Sequence, residues 1–571
     1  MWRGLASDTN WESELLAQMA LEKLAGQLEP LFEPETRTSV NGELNTTLRV
    51  GAKLFEAGPI SFWTRAYEDS IPGPILRVKP GDVLHLHLVN ELGPNVAGEW
   101  TMNTMHNPNN TNVHFHGMHV DPTGVEDNVF RVCAPGESMD TTLHVPASHP
   151  RGVFHYHPHY HGSVFLQMGG GMVGAVVVED DPDTVPAAYA AMKQHVVALQ
   201  EFRFDGGLMS SLLDAAEAAR STLDMQPTYT RGSFLESRVR SLFPREQVVQ
   251  RPSKAVKMPE DWESSDDDLV PPISMYFAVN GQYLPKIEVR PRENRLLRLI
   301  NAGGTAELEI VLPGCSMTLA ASDGIYLSKP RLVRTLLLSP GGRVDVVINC
   351  EPNAEGEKDL EALRPLHSVK NKAINEFLGG STDVFKGVLA FIHVQGDSLE
   401  QPEIAAIPPA PAMYGEDTSL MSLSTEDREQ MDLLPFVFEY TMGTPVVKDG
   451  FQYKQYFINH KLFDGTSVHT MVLGRVQEWV IVNHHDEQGE LTQKNHPFHL
   501  HTNAFQVIDM SHGHGLDYEI GDWRDTILVP TPGNVTIRFR PLDYTGVVAA
   551  HCHILGHSDA GMIAGVDMVS A

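Results

Sequence analysis

Four cysteines in 571 residues, Cys133, Cys315, Cys350 and Cys552, are too few for a disulfide scaffold. Cys315 and Cys350 can pair within one domain, and free buried thiols are an equal alternative. No run of about 20 apolar residues occurs, so nothing reads as a membrane span. Positive charge is scarce: 43 Lys and Arg face 73 Asp and Glu, a formal charge of −30, which weighs against nucleic acid and anionic membrane as partners. The opening residues, MWRGLASDTN, lack the charged and apolar regions of a secretion signal. The expectation is a secreted or periplasmic protein whose leader has been removed, with a cytoplasmic chain as the alternative. Charged residues at 20% and hydrophobic ones at 42% describe a globular chain, long enough for about three to four domains.

What is abundant is histidine, 27 residues, and much of it is clustered. The segment AHCHILGHSDAGM, 550–562, sets Cys552 between His551 and His553. At the end of a strand, the period of two sends both histidines to one face and the cysteine to the other. His557 and Met562 follow at five-residue intervals, so a loop folding back can gather a thiolate, an imidazole and a thioether. With one more histidine that is the ligand set of a blue-copper electron-transfer site; a buried free cysteine among core histidines is the alternative.

Alternating apolar residues and Pro-Gly turns dominate the rest. Val83, His85, His87 and Val89 alternate with Leu84, Leu86 and Leu88, marking a strand. The phrases VKPGDVLHL, LSPGGRVDVVI and PTPGNVTIRF place a strand, a Pro-Gly turn and a strand in each third of the chain. This repetition predicts three related β-sandwich domains. The expected boundaries are a helical extension at 1–44, packing on the first domain through a helix at about 9–30; domain 1 at 45–185; domain 2 at 186–400, with a surface insertion at 205–272; a proline-rich linker at 401–420; and domain 3 at 421–571.

Three further histidine clusters lie in NVHFHGMHV (His114, His116), GVFHYHPHYHG (His155, His157, His159, His161) and NHPFHLHTN (His496, His499, His501). An H-x-H pair on an extended chain holds two imidazoles on one face, about 6.5–7 Å apart, a spacing suited to several metal ions. His85 and His87 are expected to be structural. Structural zinc needs only four ligands in a closed tetrahedron, whereas these clusters offer matched pairs of imidazoles and one thiolate. Soft sulfur with imidazole selects copper over magnesium or calcium.

The four clusters closely resemble the copper-binding signatures of the multicopper oxidases, in H-x-H-G (His114 to Gly117), H-P-x-H-x-H (His496 to His501) and H-C-H-x-x-x-H-x-x-x-x-M (His551 to Met562). The similarity extends through SIPGPILRVKPGD, VNGQ, SDGIYLSKP and DWRDTILVP and spans about residues 45–571. It implies an all-β fold of three cupredoxin-like Greek-key sandwiches and four copper ions. Cys552, His496 and His557 would bind the type 1 copper with Met562 axial; His114 and His499 the type 2 copper; His116, His157, His159, His501, His551 and His553 the type 3 pair. The outer domains would share the trinuclear cluster, and the middle domain would mainly space them. Electrons would pass from Cys552 through its two covalent neighbours, and four transfers would reduce dioxygen to two waters. The partners so implied are a small-molecule reductant and dioxygen.

Two positions depart from relatives. Ser558 stands where bilirubin-oxidase-like and cuprous-oxidase-like members carry a proton-relaying glutamate, and Asp127, at the spacing where laccase-like members place an aspartate, is expected to carry much of the proton supply. His155 replaces a tryptophan common in relatives; with His119 and His161 it is expected in a supporting or surface position. Met562 implies a moderate potential. No acidic residues can be placed around the type 1 histidines as a ferroxidase requires, and Met413, Met421, Met431 and Met442 are too dispersed for the methionine-rich insert of a cuprous oxidase. Oxidation of phenols or aromatic amines is the resulting expectation, with a metallo-oxidase as the alternative. A copper-free structural member of the family would have lost ligands that this chain keeps, and a two-domain nitrite reductase lacks the paired type 3 signatures.

Overall fold

The structure, a computed structural model, describes residues 28–58, 60–95, 102–203, 275–312, 314–351, 360–365, 389–401, 404–415, 419–430, 435–444, 446–448, 451–490, 494–511 and 519–571. Strands dominate, and the alternation in the sequence explains them. In Val83–Asn90, Leu84, Leu86 and Leu88 point inward and are at most 1% exposed, each contributing about 1.5–3 kcal/mol by leaving water. His85 and His87 point the other way, to Thr142 and Asp140, and join no histidine cluster.

Three pairs of sheets follow one plan. In the first sheet of each pair an early strand runs parallel to a later one: Glu43–Ala57 with Val83–Asn90, Lys193–Arg203 with Asn294–Asn301, and Phe436–Met442 with Gln477–Asn483. In the second sheet the last strand of the unit runs parallel to an early one and antiparallel to its predecessor. Gly174–Val178 thus lies between Ile75–Val78 and Gly152–His157, Ala390–Val394 between Lys286–Val289 and Leu360–Pro365, and Ile563–Val569 between Ser467–Val472 and Gly546–Cys552. Each pair encloses its own apolar core, with Leu48, Leu86 and Phe154 in the first, Leu297, Leu319 and Val346 in the second, and Trp479, Phe498 and Ile537 in the third.

This repetition places the histidines. His114–His116 pairs with Gly152–His157 in the first unit, and His496–Leu500 pairs with Gly546–Cys552 in the third. The same two places in the middle unit are taken by Leu308–Val311 and Leu360–Pro365, strands without histidine.

Several expectations change here. The helix at 9–30 falls mostly outside the described residues, and residues 28–44 hold a short strand and a turn instead of a helix: Thr36–Thr38 pairs with Ile75–Arg77. This segment also docks on the middle sandwich rather than only the first, because Leu31 joins its core and bonds Lys286. The 205–272 insertion and Met431 lie outside the described residues. Cys315 and Cys350 face each other across adjacent strands and form a disulfide, while Cys133 and Cys552 are free and buried. In the described part of the proline-rich linker, Tyr414 sits 5.1 Å from Trp523, over a cavity of about 790 Å³ lined by none of the clustered histidines. No helix among the described residues is long and apolar enough to cross a membrane.

Candidate metal centre

Cross-strand register assembles the site. His114 lies opposite His157 and His116 opposite His155, while His499 lies opposite His551 and Phe498 opposite Cys552. Residues directly opposite on one face have Cβ atoms about 4.5–5.5 Å apart, so each pairing turns an H-x-H repeat into a wall of imidazoles. The walls of the first and third sandwiches face each other: the rings of His114 and His501 stack at 3.9 Å and those of His116 and His499 at 3.8 Å.

Four groups of donors result, each with its ligand atoms within 4.8 Å of one another. His159, His501 and His551 form one, their Nε2 atoms 3.1 and 3.2 Å apart about His551, close to the edge of a tetrahedron around an ion bound at about 2.0–2.1 Å. His116, His157 and His553 form a second, joined by His155; His114, His116 and His499 form a third. The fourth is His496, Cys552 and His557: His496 Nδ1 lies 3.3 Å and His557 Nδ1 3.8 Å from Cys552 Sγ, and the two nitrogens are 3.2 Å apart. Met562 is buried beside Cys552 in the core of the third sandwich and is tied to the cluster by backbone bonds to Cys552 and His557.

The outer nitrogens are held by the protein. Nδ1 of His114 donates to Asp127 Oδ2 (2.9 Å), that of His157 to the Pro158 carbonyl (2.9 Å), that of His499 to the Asp525 carbonyl (2.9 Å) and that of His551 to the Cys552 carbonyl (3.0 Å). Such bonds fix the tautomer and aim the other nitrogen inward. Of the inward atoms, Nε2 of His114, His157 and His499 are buried without a hydrogen-bond partner. A buried polar atom left unpaired costs about 1–3 kcal/mol, which a bound cation would relieve.

Burial also keeps the rings neutral, the form that binds metal. Desolvation, reinforced by neighbouring imidazoles, pushes His114, His116, His159, His501 and His553 well below the usual histidine range. His157 is brought to about 4 and His551 to about 3. His496 is lowered to about 3 by desolvation and then by Lys494 and Lys454. Since these values lie below the ordinary 6.5, the unfolded chain binds more protons between them. Protein freed of metal by chelation is therefore expected to lose stability as pH falls from about 6.5 towards 4, by up to about 1.4 kcal/mol per ring per pH unit. Urea midpoints at pH 7 and pH 5 check this; equal midpoints would contradict it.

Asp127 is buried, with Oδ2 on His114 and Oδ1 accepting from the Phe115 N–H (3.0 Å). It thus stands behind His114, on the side away from the inward nitrogen. His119 bridges the outer sandwiches, bonded to the Thr502 carbonyl and to Asp543, and His161 bonds Asn103. His155 is not at the surface but fully buried.

The middle sandwich does more than space the others. Arg343 is buried and makes a paired contact with Asp525, at 2.7 and 2.5 Å; Asp525 Oδ1 is 3.4 Å from His116 Nε2 and 3.5 Å from His499 Nδ1. Gly341, with φ +81°, passes so close that a Cβ would lie 2.8 Å from His553 and 2.9 Å from His116. The expectation of a mere spacer is corrected: this turn forms one wall of the histidine cluster. SPGGR and DWRDT marked these residues in the sequence, but only as turn and similarity. Asp559 was missed altogether; buried beside Ser558, it accepts from the Gly162 and Phe165 N–H groups of the first sandwich, and desolvation raises it to about 7.

Three sequence-family models, each described as Multicopper oxidase, match residues 58–183, 245–357 and 435–570, together about two thirds of the chain. The chain belongs to the multicopper oxidase family. Among curated relatives, the iron transport multicopper oxidase of Kluyveromyces lactis is 24% identical over 541 residues, covering 86% of this chain and 70% of that one. A laccase of Bacillus stratosphericus is 26% identical over 357 residues, 57% of this chain and 61% of its own. A multicopper oxidase structure from Pediococcus acidilactici superposes with a TM-score of 0.63 at 21% identity, covering 95% and 92% of the two chains. One from Campylobacter jejuni, described as a metallo-oxidase, has a TM-score of 0.60 at 20% identity, covering 95% and 94%. This multicopper oxidase is a copper-dependent oxidoreductase with cupredoxin-like sandwiches that uses oxygen and a small-molecule reductant. The buried imidazoles and the thiolate suit copper.

Proposed function

We propose that this multicopper oxidase is laccase-like, oxidising phenols or aromatic amines and reducing dioxygen to two waters with four copper ions. Cys552, His496 and His557 would hold one ion, with Met562 beside them; His114 and His499 a second; His116, His157 and His553 a third; and His159, His501 and His551 a fourth. Copper bound there supplies one-electron acceptance from the reductant and four-electron reduction of oxygen. The chain's part is to hold neutral rings inward, to keep water out of the clusters, and to link Cys552 covalently to His551 and His553. Residues 45–185, 186–400 and 421–571 are read as the three domains. A secreted or periplasmic location is supported by the Cys315–Cys350 disulfide, a bond that persists in oxidising compartments.

The observation that carries the substrate class is the charge beside His496. The cations Lys494 and Lys454 act on His496, and an aromatic ring, Tyr456, stacks on His557 at 4.0 Å. Positive charge repels Fe(II) or Cu(I), while a flat aromatic surface suits a phenol. The acid that acts on Cys552, Glu307, is buried and offers no surface carboxylate for a metal ion.

Oxygen uptake by copper-loaded protein with a methoxyphenol, Fe(II) or Cu(I) at equal concentration tests this reading. Fastest turnover on the phenol is expected; fastest turnover on a metal ion would make this a metallo-oxidase, with Glu307 the first residue to examine. In the same assay Asp127→Asn, proposed to hold His114 and to supply protons, is expected to slow uptake about 10–100-fold, the usual cost of removing a ligand's outer partner, with the blue absorption unchanged. Full turnover would remove both roles.

A further inference from the structure

Of the clustered histidines, His155 and His161 are not used by the site described so far, and only His155 groups with its donors. It lies on Gly152–His157, two residues before His157 and directly opposite His116, so pleat and register aim it at the same face as both. It is fully buried, and neither Nδ1 nor Nε2 has a hydrogen-bond partner. The other added histidines differ: His119, His149 and His161 each engage at least one protein partner. Two unpaired polar atoms on one buried ring cost about 1–3 kcal/mol each, more than packing alone explains at a place where an apolar ring would fit. Its plane lies nearly parallel to those of His116 and His157, with centroids 4.3 and 5.2 Å away. Its ligand atom falls within 4.8 Å of those of His116, His157 and His553.

We propose that His155 is a fourth imidazole ligand of the copper held by His116, His157 and His553, so that the two ions of the coupled pair have unequal ligand sets, four nitrogens against three. This rests on the four-copper reading above. Four imidazole nitrogens suit Cu(II), so this ion would be held more tightly than its mate at His159, His501 and His551. No bond is made or broken beyond metal ligation.

The test is chelator titration of copper-loaded protein, comparing wild type with His155→Phe, by metal analysis and by electron paramagnetic resonance. In the wild type the expected order of loss leaves the His116, His157 and His553 ion until after its mate. In His155→Phe that ion leaves at a chelator concentration at least about tenfold lower, and the mate, no longer coupled, becomes visible by resonance. The metal-free variant should unfold at equal or higher urea, because an apolar ring replaces an unsatisfied polar one; weakened copper with undiminished stability separates ligation from misfolding. His155→Gly with added imidazole should recover retention. Unchanged order of loss and an unchanged spectrum in His155→Phe would overturn the proposal and leave the four-copper reading standing. A wild type that binds no coupled pair would overturn both.

Discussion

On the four-copper reading, Cys552→Ser is expected to remove one copper of the four and to lower oxygen uptake by more than about a hundredfold, above the range that loss of an outer partner produces. Sγ is fully buried, lies between His496 and His557, and accepts from the Ile554 N–H at 3.4 Å. Burial raises the thiol above its ordinary range, so in metal-free protein Cys552 is a neutral thiol, and copper binding must displace its proton. A serine hydroxyl has nearly the same shape but is far harder to ionise and lacks the soft sulfur that selects copper. The fold should persist because the third core, from Trp479 to Val566, is otherwise untouched. Metal analysis should find the three remaining coppers in place and the blue absorption gone. Turnover above a hundredth of wild type would show that electrons reach the histidine cluster by another route.

The second large effect belongs to Arg343→Leu. Its guanidinium pairs with Asp525 and lies 3.5 Å from Asp323 as well. Burial by itself would raise the Asp525 carboxyl; the charge and hydrogen bonds of Arg343 outweigh it and hold the group below the usual carboxylate range. Removing one member of a buried ion pair costs about 3–5 kcal/mol, because the other charge is left uncompensated. Urea unfolding of the metal-free protein should register that loss, and copper should dissociate more readily because Asp525 adjoins His116 and His499. The double variant Arg343→Leu/Asp525→Leu should be less destabilised than the sum of the single changes. A single variant as stable as wild type would mean that water has replaced the pair. Gly117 is part of the same arrangement: a Cβ there would lie 2.1 Å from Arg343 Nη2.

The readings that worked were those in which a local period alone sets direction. Leu84, Leu86 and Leu88 had to share a face opposite to His85 and His87, and His551 and His553 a face opposite to Cys552, because strand geometry permits nothing else. Three recurring strand and Pro-Gly phrases likewise implied repeated sandwiches. Readings failed where a contact joins distant parts of the chain. Leu31 docks on the middle sandwich across some 250 residues of sequence, and no local pattern announces it. The pairing of Cys315 with Cys350, which the sequence left open, is decided by register, which sets them opposite each other.

By itself, then, the sequence determined the donor chemistry: which imidazoles share a strand face, that one thiolate accompanies them, and that the middle third carries no paired histidines. Only the tertiary structure decided how the donors group. The sets His159–His501–His551 and His116–His157–His553 each draw on strands about 340 to 440 residues apart, and Arg343 and Gly341 enter from a third sandwich. Local periodicity specifies the direction of a side chain relative to its own backbone. Distances between backbones are set by the packing of the sandwiches, and that depends on the buried faces of all three together.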